Sequence, residues 1–176
     1  MENSKSEESP NVDKKNKLQP LAVKELLEKS FYVASYQRGY RWTKTEVEAL
    51  LQDIYDFSKS ETKASDSEYW LQPIIIKEVR KEIEGQLTTC YELIDGQQRL
   101  TTIYLIYTFL KDHTPFTINY NTRTSSSSFL HKINTFKDLN WKEHFENGED
   151  DKIDNFHFFN AFKIIQDWFS KGINQQ

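Results

Sequence analysis

Five consecutive residues, Asp95-Gly96-Gln97-Gln98-Arg99, set a carboxylate, two amides and a guanidinium between a strand-like run and an apolar run. If a strand ends at Ile94 and a helix starts at Gly96, Asp95 is the N-cap. Its carboxylate then accepts from the amides of Gln97 or Gln98. Asp-x-x-Gln also imitates the reciprocal capping box, with Gln98 reaching back to the amide of the cap. This account leaves Arg99 without a role, because a cation in the first helical turn opposes the helix dipole by about 0.3–1 kcal/mol. The same place becomes favourable when an anion such as a phosphate meets the free N–H groups and the guanidinium together. Gly96 would let that phosphate approach the backbone closely. A structural cap and an anion site both fit the spacing, and a single glycine does not make a Walker-type loop.

A second constellation lies upstream, Tyr36-Gln37-Arg38-Gly39-Tyr40-Arg41-Trp42. Arginines interleaved with aromatics can stack a base, hold a phosphate, or do both. The structural alternative is a loop anchored by buried Tyr and Trp, whose arginines extend to water. Other chemistry is poorly supplied. His113, His131, His144 and His157 are scattered, without zinc-ligand spacing or an HNH-like arrangement. The one cysteine, Cys90, excludes an internal disulfide and a cysteine-rich metal site, and its strand-like surroundings read as a small buried thiol.

The elements around these residues give an α+β reading. Leu21 to Lys29 has the spacing of a short amphipathic helix, and Phe31-Tyr32-Val33 suits a short strand. Thr43-Lys44-Thr45-Glu46 has the form of a capping box, opening a helix striped by Val47, Leu50, Leu51, Ile54 and Phe57. Trp70 to Val79 and Leu87 to Ile94 read as a hairpin closed by a charged turn at Gly85, with Pro73 marking an edge or an irregularity. From Gln97 to Lys111 the apolar residues surround the helix axis, which predicts a helix in the middle of the fold. Phe116 to Tyr120 reads as a further strand. Phe158, Phe162, Ile165 and Phe169 stripe a helix over Asn155 to Phe169.

The bulk numbers bound the class. A chain of 176 residues makes one ordinary domain with a real core. A net charge of -4 and a pI near 5.6 confine any nucleic-acid contact to a local patch or to a region outside this chain. No apolar run reaches the roughly 20 residues of a membrane helix. The polar start carries no signal-peptide core, so the expectation is cytoplasmic, without membrane contact. Residues 1–19 are almost devoid of apolar side chains and read as a disordered tail.

Taken together, "YQRGYRW" and, about fifty residues on, "IDGQQRLTT" resemble the GmrS-like amino-terminal module of the GmrSD modification-dependent restriction endonucleases, found also in SspE-type defence proteins. The similarity runs from about Leu21 to the end and includes "YWLQPIIIKEV" and "IDNFHFFNAF". It implies a ParB/sulfiredoxin-like core over residues 20–125, with a small mixed sheet packed by helices. A helical extension over 126–176 belongs to the same domain, and the chain is expected to be cut from a longer protein.

The implied function is a nucleotide-binding, NTP-hydrolysing regulatory domain of a modification-dependent restriction or anti-phage defence protein. The ligand is a nucleoside triphosphate with Mg2+, and the chain is not itself a nuclease. Cleavage is assigned to a separate HNH-type domain or chain, and modified DNA is met through the full-length protein. On this resemblance Asp95 orients a metal-bound or attacking water and is the metal ligand. Gly96 admits phosphate, Gln97 and Gln98 donate to phosphate or position water, and Arg99 stabilises developing charge. Gln37 and Arg38 reach the same pocket. Thr101 and Thr102 add hydroxyl contacts or coordinate a cation, with capping of the turn as their other reading, and Arg123 in "NTRTSS" adds a phosphate contact. Asp53 is a possible further metal ligand, with a plain surface residue as its other reading. The alternative function is a modified-DNA-binding module without NTPase activity, in which Tyr40, Arg41 and Trp42 contact nucleic acid. The chain departs from the family pattern at Ala34, where proline is usual, and at Gln72, where glycine is usual.

Overall fold

The computed structural model describes residues 20–60, 67–83, 86–111 and 115–173. The polar tail expected over 1–19, the turn at Gly85 and His113 lie outside them. At the centre, β1 (Ser30–Val33) buries Phe31 and Val33 completely, while Ser30 and Tyr32 on its other side are half-buried. It pairs in parallel with β3 (Gln86–Asp95) on one side and with β4 (Thr117–Tyr120) on the other. The strand β2 (Ile75–Ile83) runs antiparallel to β3, giving the sheet order β2-β3-β1-β4. Parallel pairing requires long crossovers, and the segments between these strands supply them as helices. The result is an α+β architecture with a small mixed sheet.

Helix α2 (Gln97–Lys111) lies in the middle, as its all-round apolar pattern predicts. Leu100, Ile103, Tyr104, Leu105 and Ile106 are all buried, and the Tyr104 ring meets Phe116 edge-on at 5.5 Å. Helix α5 (Ile153–Ile173) buries Phe158, Phe162 and Ile165 of its predicted stripe. Phe158 sits between Tyr40 (5.4 Å) and Tyr120 (5.9 Å), so the last helix shares the core of the sheet. Between β4 and α5 come α3 (Thr124–His131) and the single turn α4 (Trp141–His144). Around them Phe129, Phe136, Trp141, Phe145 and Phe159 form a continuous aromatic cluster.

Several expectations shift. Leu21 to Lys29 forms only one 3-10 turn, Val23–Leu26, with no buried residue to anchor a longer helix. In α1 (Lys44–Lys59) the predicted cap is present, and the Glu46 carboxylate accepts from both the amide (2.8 Å) and the hydroxyl (2.7 Å) of Thr43. Its apolar stripe is buried only at Val47, Leu50 and Leu51. Beyond these the helix runs past the core, and Tyr55 and Phe57 find Trp168 and Tyr69 instead. The first hairpin strand starts at Ile75 rather than Trp70, after the proline, with a register shift between Ile75 and Ile76. It forms one rim of the sheet and carries Lys77, Glu78, Arg80, Lys81 and Glu82. Cys90 is buried in β3, where burial pushes its thiol up. Among the described residues no helix is long and apolar enough to cross a membrane.

Candidate functional site: a cationic cleft at the strand-to-helix turn

Asp95 pairs with Ile75 and is the last residue of β3. The strand therefore runs one residue further than the sequence suggests, and Gly96 takes the N-cap position that was expected of Asp95. The Gly96 carbonyl accepts the first helical bond, from the Leu100 amide at 3.0 Å. Gly96 stands at φ +83°, and a Cβ there would lie 2.9 Å from Ile74 Cα and 3.1 Å from the Pro73 carbonyl oxygen. Only glycine makes this turn without strain. The Asp95 carboxylate accepts from the Gly96 amide at 2.7 Å and is otherwise exposed. Among the described residues no side chain accepts from the amides of Gln97, Gln98 or Arg99, so the positive end of α2 stays open.

A cleft of about 350 Å³ opens at this helix end. One wall is the loop between β1 and α1, which contributes Gln37, Arg38 and Trp42. The other wall is Gln72 and Pro73, and residues 95–99 form the floor. Arg99 donates through Nη1 to the carbonyls of Gln72 (3.2 Å) and Pro73 (3.1 Å), and through Nη2 to Gln72 Oε1. All three acceptors are neutral, so its charge is not cancelled. Arg38 is exposed at the cleft, and among the described residues neither arginine pairs with a carboxylate. Two guanidiniums thus stand against one carboxylate, Asp95, in the lining.

The remaining predicted site residues divide between the cleft and its supports. Gln37 lines the cleft, but its amide donates to the carbonyls of Leu93 (3.4 Å) and Ile94 (2.8 Å), tying the loop to β3. Gln98 spends both ends of its amide on the loop. Its Oε1 accepts from the amides of Arg41 (2.7 Å) and Trp42 (3.3 Å), and its Nε2 donates to the Gly39 carbonyl (2.9 Å). Gln97 is 4% exposed, with Nε2 3.4 Å from the Tyr120 hydroxyl and no partner for Oε1 among the described residues. Burial pushes the Tyr120 phenol up to about 12, against the opposing effect of Thr101 and Gln97 beside it.

Thr101 and Thr102 are wholly buried behind the cleft, and Thr102 shares a 2.8 Å hydrogen bond with the Tyr40 hydroxyl. Tyr40 itself is wholly buried, and burial raises its phenol far above the ordinary value. Arg41 is ion-paired with Asp154, and Arg123 reaches the same carboxylate at 3.1 Å, so neither points its charge into the cleft. Of the predicted aromatic and basic trio Tyr40, Arg41 and Trp42, only Trp42 lines the cleft.

Sequence reasoning passed over Asp154 and the reason for Gly39, and met Gln72 only as a departure from the family pattern. Asp154 lies in the first turn of α5, where an acidic residue reads simply as a complement to the helix dipole. Its partner Arg41 is 113 residues away and leaves no local trace. A Cβ on Gly39 would stand 2.0 Å from Asp154 Oδ1, so the glycine makes room for that carboxylate. Asp53 is exposed on α1, beside Tyr69. No group of three or more His, Cys, Asp or Glu side chains able to hold a metal occurs among the described residues. Asp95 offers a single carboxylate. That fits magnesium, which takes one or two carboxylates and draws its other ligands from phosphates and water.

The fold and cleft define a small α+β domain whose central helix starts at a cleft lined by two guanidiniums and one carboxylate. Residues 23–175 match the family described as GmrSD restriction endonuclease, N-terminal domain, and the chain belongs to that family. Among curated proteins there is no significant match.

Proposed function

We propose that the cleft binds a nucleoside triphosphate with Mg2+, and that this domain regulates a restriction nuclease located in a separate HNH-type domain or chain. The observation that carries the reading is the pair Arg38 and Arg99 at the open amino end of α2, facing only Asp95. Such a place repels cations and rewards a phosphate chain, since helix N–H groups and guanidiniums both favour polyanions. Gly96 removes the side chain that would hold phosphate away from the backbone. Trp42 offers an indole on which a base can stack. Asp95 is the protein ligand for magnesium, which supplies neutralisation of phosphate charge when bound. For hydrolysis, Asp95 orients a water and Arg99 stabilises charge developing on the transferred phosphoryl group. Gln98 acts here by holding the loop that carries Arg38 and Trp42. Gln97 keeps its buried Oε1 without a partner among the described residues, beneath the cleft. A ParB/sulfiredoxin-like ancestry of the core agrees with a phosphate site at a strand-to-helix turn, and contact with modified DNA falls to the full-length protein.

The second reading, a modified-DNA-binding module without NTPase activity, retains Trp42 of its three residues. Tyr40 is packed in the core and Arg41 is engaged by Asp154. Calorimetric titration with ATP and with GTP, each with MgCl2, separates the two. We expect one site per chain, weakened roughly 10- to 100-fold by Arg38→Ala, from the 1.5–3 kcal/mol of a charge-assisted hydrogen bond. Arg38 is the cleaner probe because Arg99 also holds the 72–73 wall. No heat with either nucleotide, alongside salt-sensitive DNA binding lost in Trp42→Ala, would install the second reading instead.

A further inference from the structure

We infer that Asp154 is a positioning residue that sets the cleft-forming loop and couples it to helix α5. Residues 37–42 have no regular secondary structure, and several of their backbone groups are met by side chains: Gln98 of α2, Arg123 at the start of α3, and the loop's own Arg41. The Gln37 carbonyl accepts from Arg123 Nη2 at 2.8 Å, the Gly39 carbonyl from Gln98, and the Tyr40 carbonyl from Arg41 Nη1. The amides of Arg41 and Trp42 donate to Gln98. Two of these supports, Arg41 and Arg123, converge on one carboxylate. Asp154 accepts from Arg41 through Oδ1 and from Arg123 through Oδ2, and its side chain is only 4% exposed. Gly39 gives up its side chain to let that carboxylate lie against the loop.

Simple stability does not explain the arrangement. Burying a carboxylate with two guanidiniums is costly, and well-packed apolar replacements of such networks are often as stable or more so. What the network supplies is a defined geometry. It fixes the backbone on both sides of Arg38 and immediately before Trp42, two of the three side chains by which the loop lines the cleft. Asp154 opens α5, whose 21 residues extend about 30 Å at 1.5 Å per residue. A shift of α5 therefore repositions Arg38 and Trp42. By linkage, a ligand that fixes those side chains biases α5 by an equal free energy. This last step rests on the nucleotide reading above. The positioning role of Asp154 does not.

Hydrogen-exchange mass spectrometry on the ligand-free chain tests the role directly. In Asp154→Asn we expect exchange over residues 37–42 to rise at least tenfold, with the β1–β3 and β1–β4 pairs unchanged. Should that variant fail to fold, Arg123→Gln keeps the Arg41–Asp154 pair, removes the ties of Arg123 to Asp154 and to the Gln37 carbonyl, and should loosen the same loop to a smaller degree. Combining Asp154→Asn with Gly39→Ala, which pushes the carboxylate away, should add nothing further at 37–42. Unchanged protection of the loop, a uniform rise across the domain, or additive effects of the two substitutions would overturn the inference. ATP with magnesium separates its failure from that of the nucleotide reading. If the wild type binds, Asp154→Asn should bind at least tenfold more weakly, and equal binding counts against the coupling. If the wild type does not bind, only the nucleotide reading falls, and the exchange result decides for Asp154.

Discussion

Gly96 shows how much one residue type can determine and how the reasons accumulate. In sequence its smallness suggested room for a phosphate. The structure adds a left-handed φ of +83° and Ile74 standing where a Cβ would have to go. Gly96→Ala is therefore expected to cost about 1–3 kcal/mol. At roughly 2–4 °C per kcal/mol for a chain of this size, scanning calorimetry should record a clear drop in Tm. Arg99 stood out because a cation in a first helical turn conflicts with a local rule, Asp95 because it obeys one as a cap, and Arg38 because it is interleaved with aromatics; each pattern can be seen in a few consecutive letters. The service of Gln98 was not recognisable. Its partners lie 56 to 59 residues upstream, and an amide meeting a distant backbone has no spacing signature. Thr101 and Thr102 follow the motif in sequence but occupy the buried side of α2, a distinction that requires knowing which face of an all-round apolar helix meets the cleft.

Among the elements, α2 was the most legible and the strand-to-helix junction the least. Apolar residues on every side of a helix can only be buried, so its central place followed from composition. The junction moved by one residue because Asp95 is drawn into β3 by pairing with Ile75, a contact across the hairpin that local pattern does not contain. The docking of α3 on β4 carries a measurable pH signature. His131 of α3 hydrogen-bonds the backbone of Ile118, yet burial dominates and lowers its pKa below the ordinary 6.5. The unfolded chain then binds the proton more readily, so stability is complete above about pH 6.5 and declines as pH falls through the lowered value. Burial, with Arg41 second, shifts His157 the same way. Urea unfolding at pH 7.5 and 5.5 should show the loss, and His131→Gln should remove part of the difference while leaving the remainder due to His157.

At the scale of the molecule, the helices that follow β4 and the sheet share one interior. Phe158 of α5 fills the space between Tyr40 and Tyr120, and Phe162 meets Phe109 of α2 at 6.2 Å. A chain ending at residue 125 would expose these faces, so it should lack a cooperative thermal transition by circular dichroism. In the intact chain Phe158→Ala should cost about 3–5 kcal/mol. The phenylalanine spacing that announced α5 could be read directly, whereas its packing partners could not, since a stripe specifies a face and not what covers it.

The rim strand β2 has a consequence beyond the fold. Unpaired amides and carbonyls along a nine-residue ribbon invite like molecules to add themselves end over end, the first step towards fibres. Lysine, glutamate and arginine interrupt that ribbon along its length, and an approaching copy in antiparallel register centred on Val79 would bring Lys77 against Lys81. The same register would set Glu78 against Arg80, so what disfavours such stacking is the cost of taking this row of charged side chains out of water rather than repulsion alone.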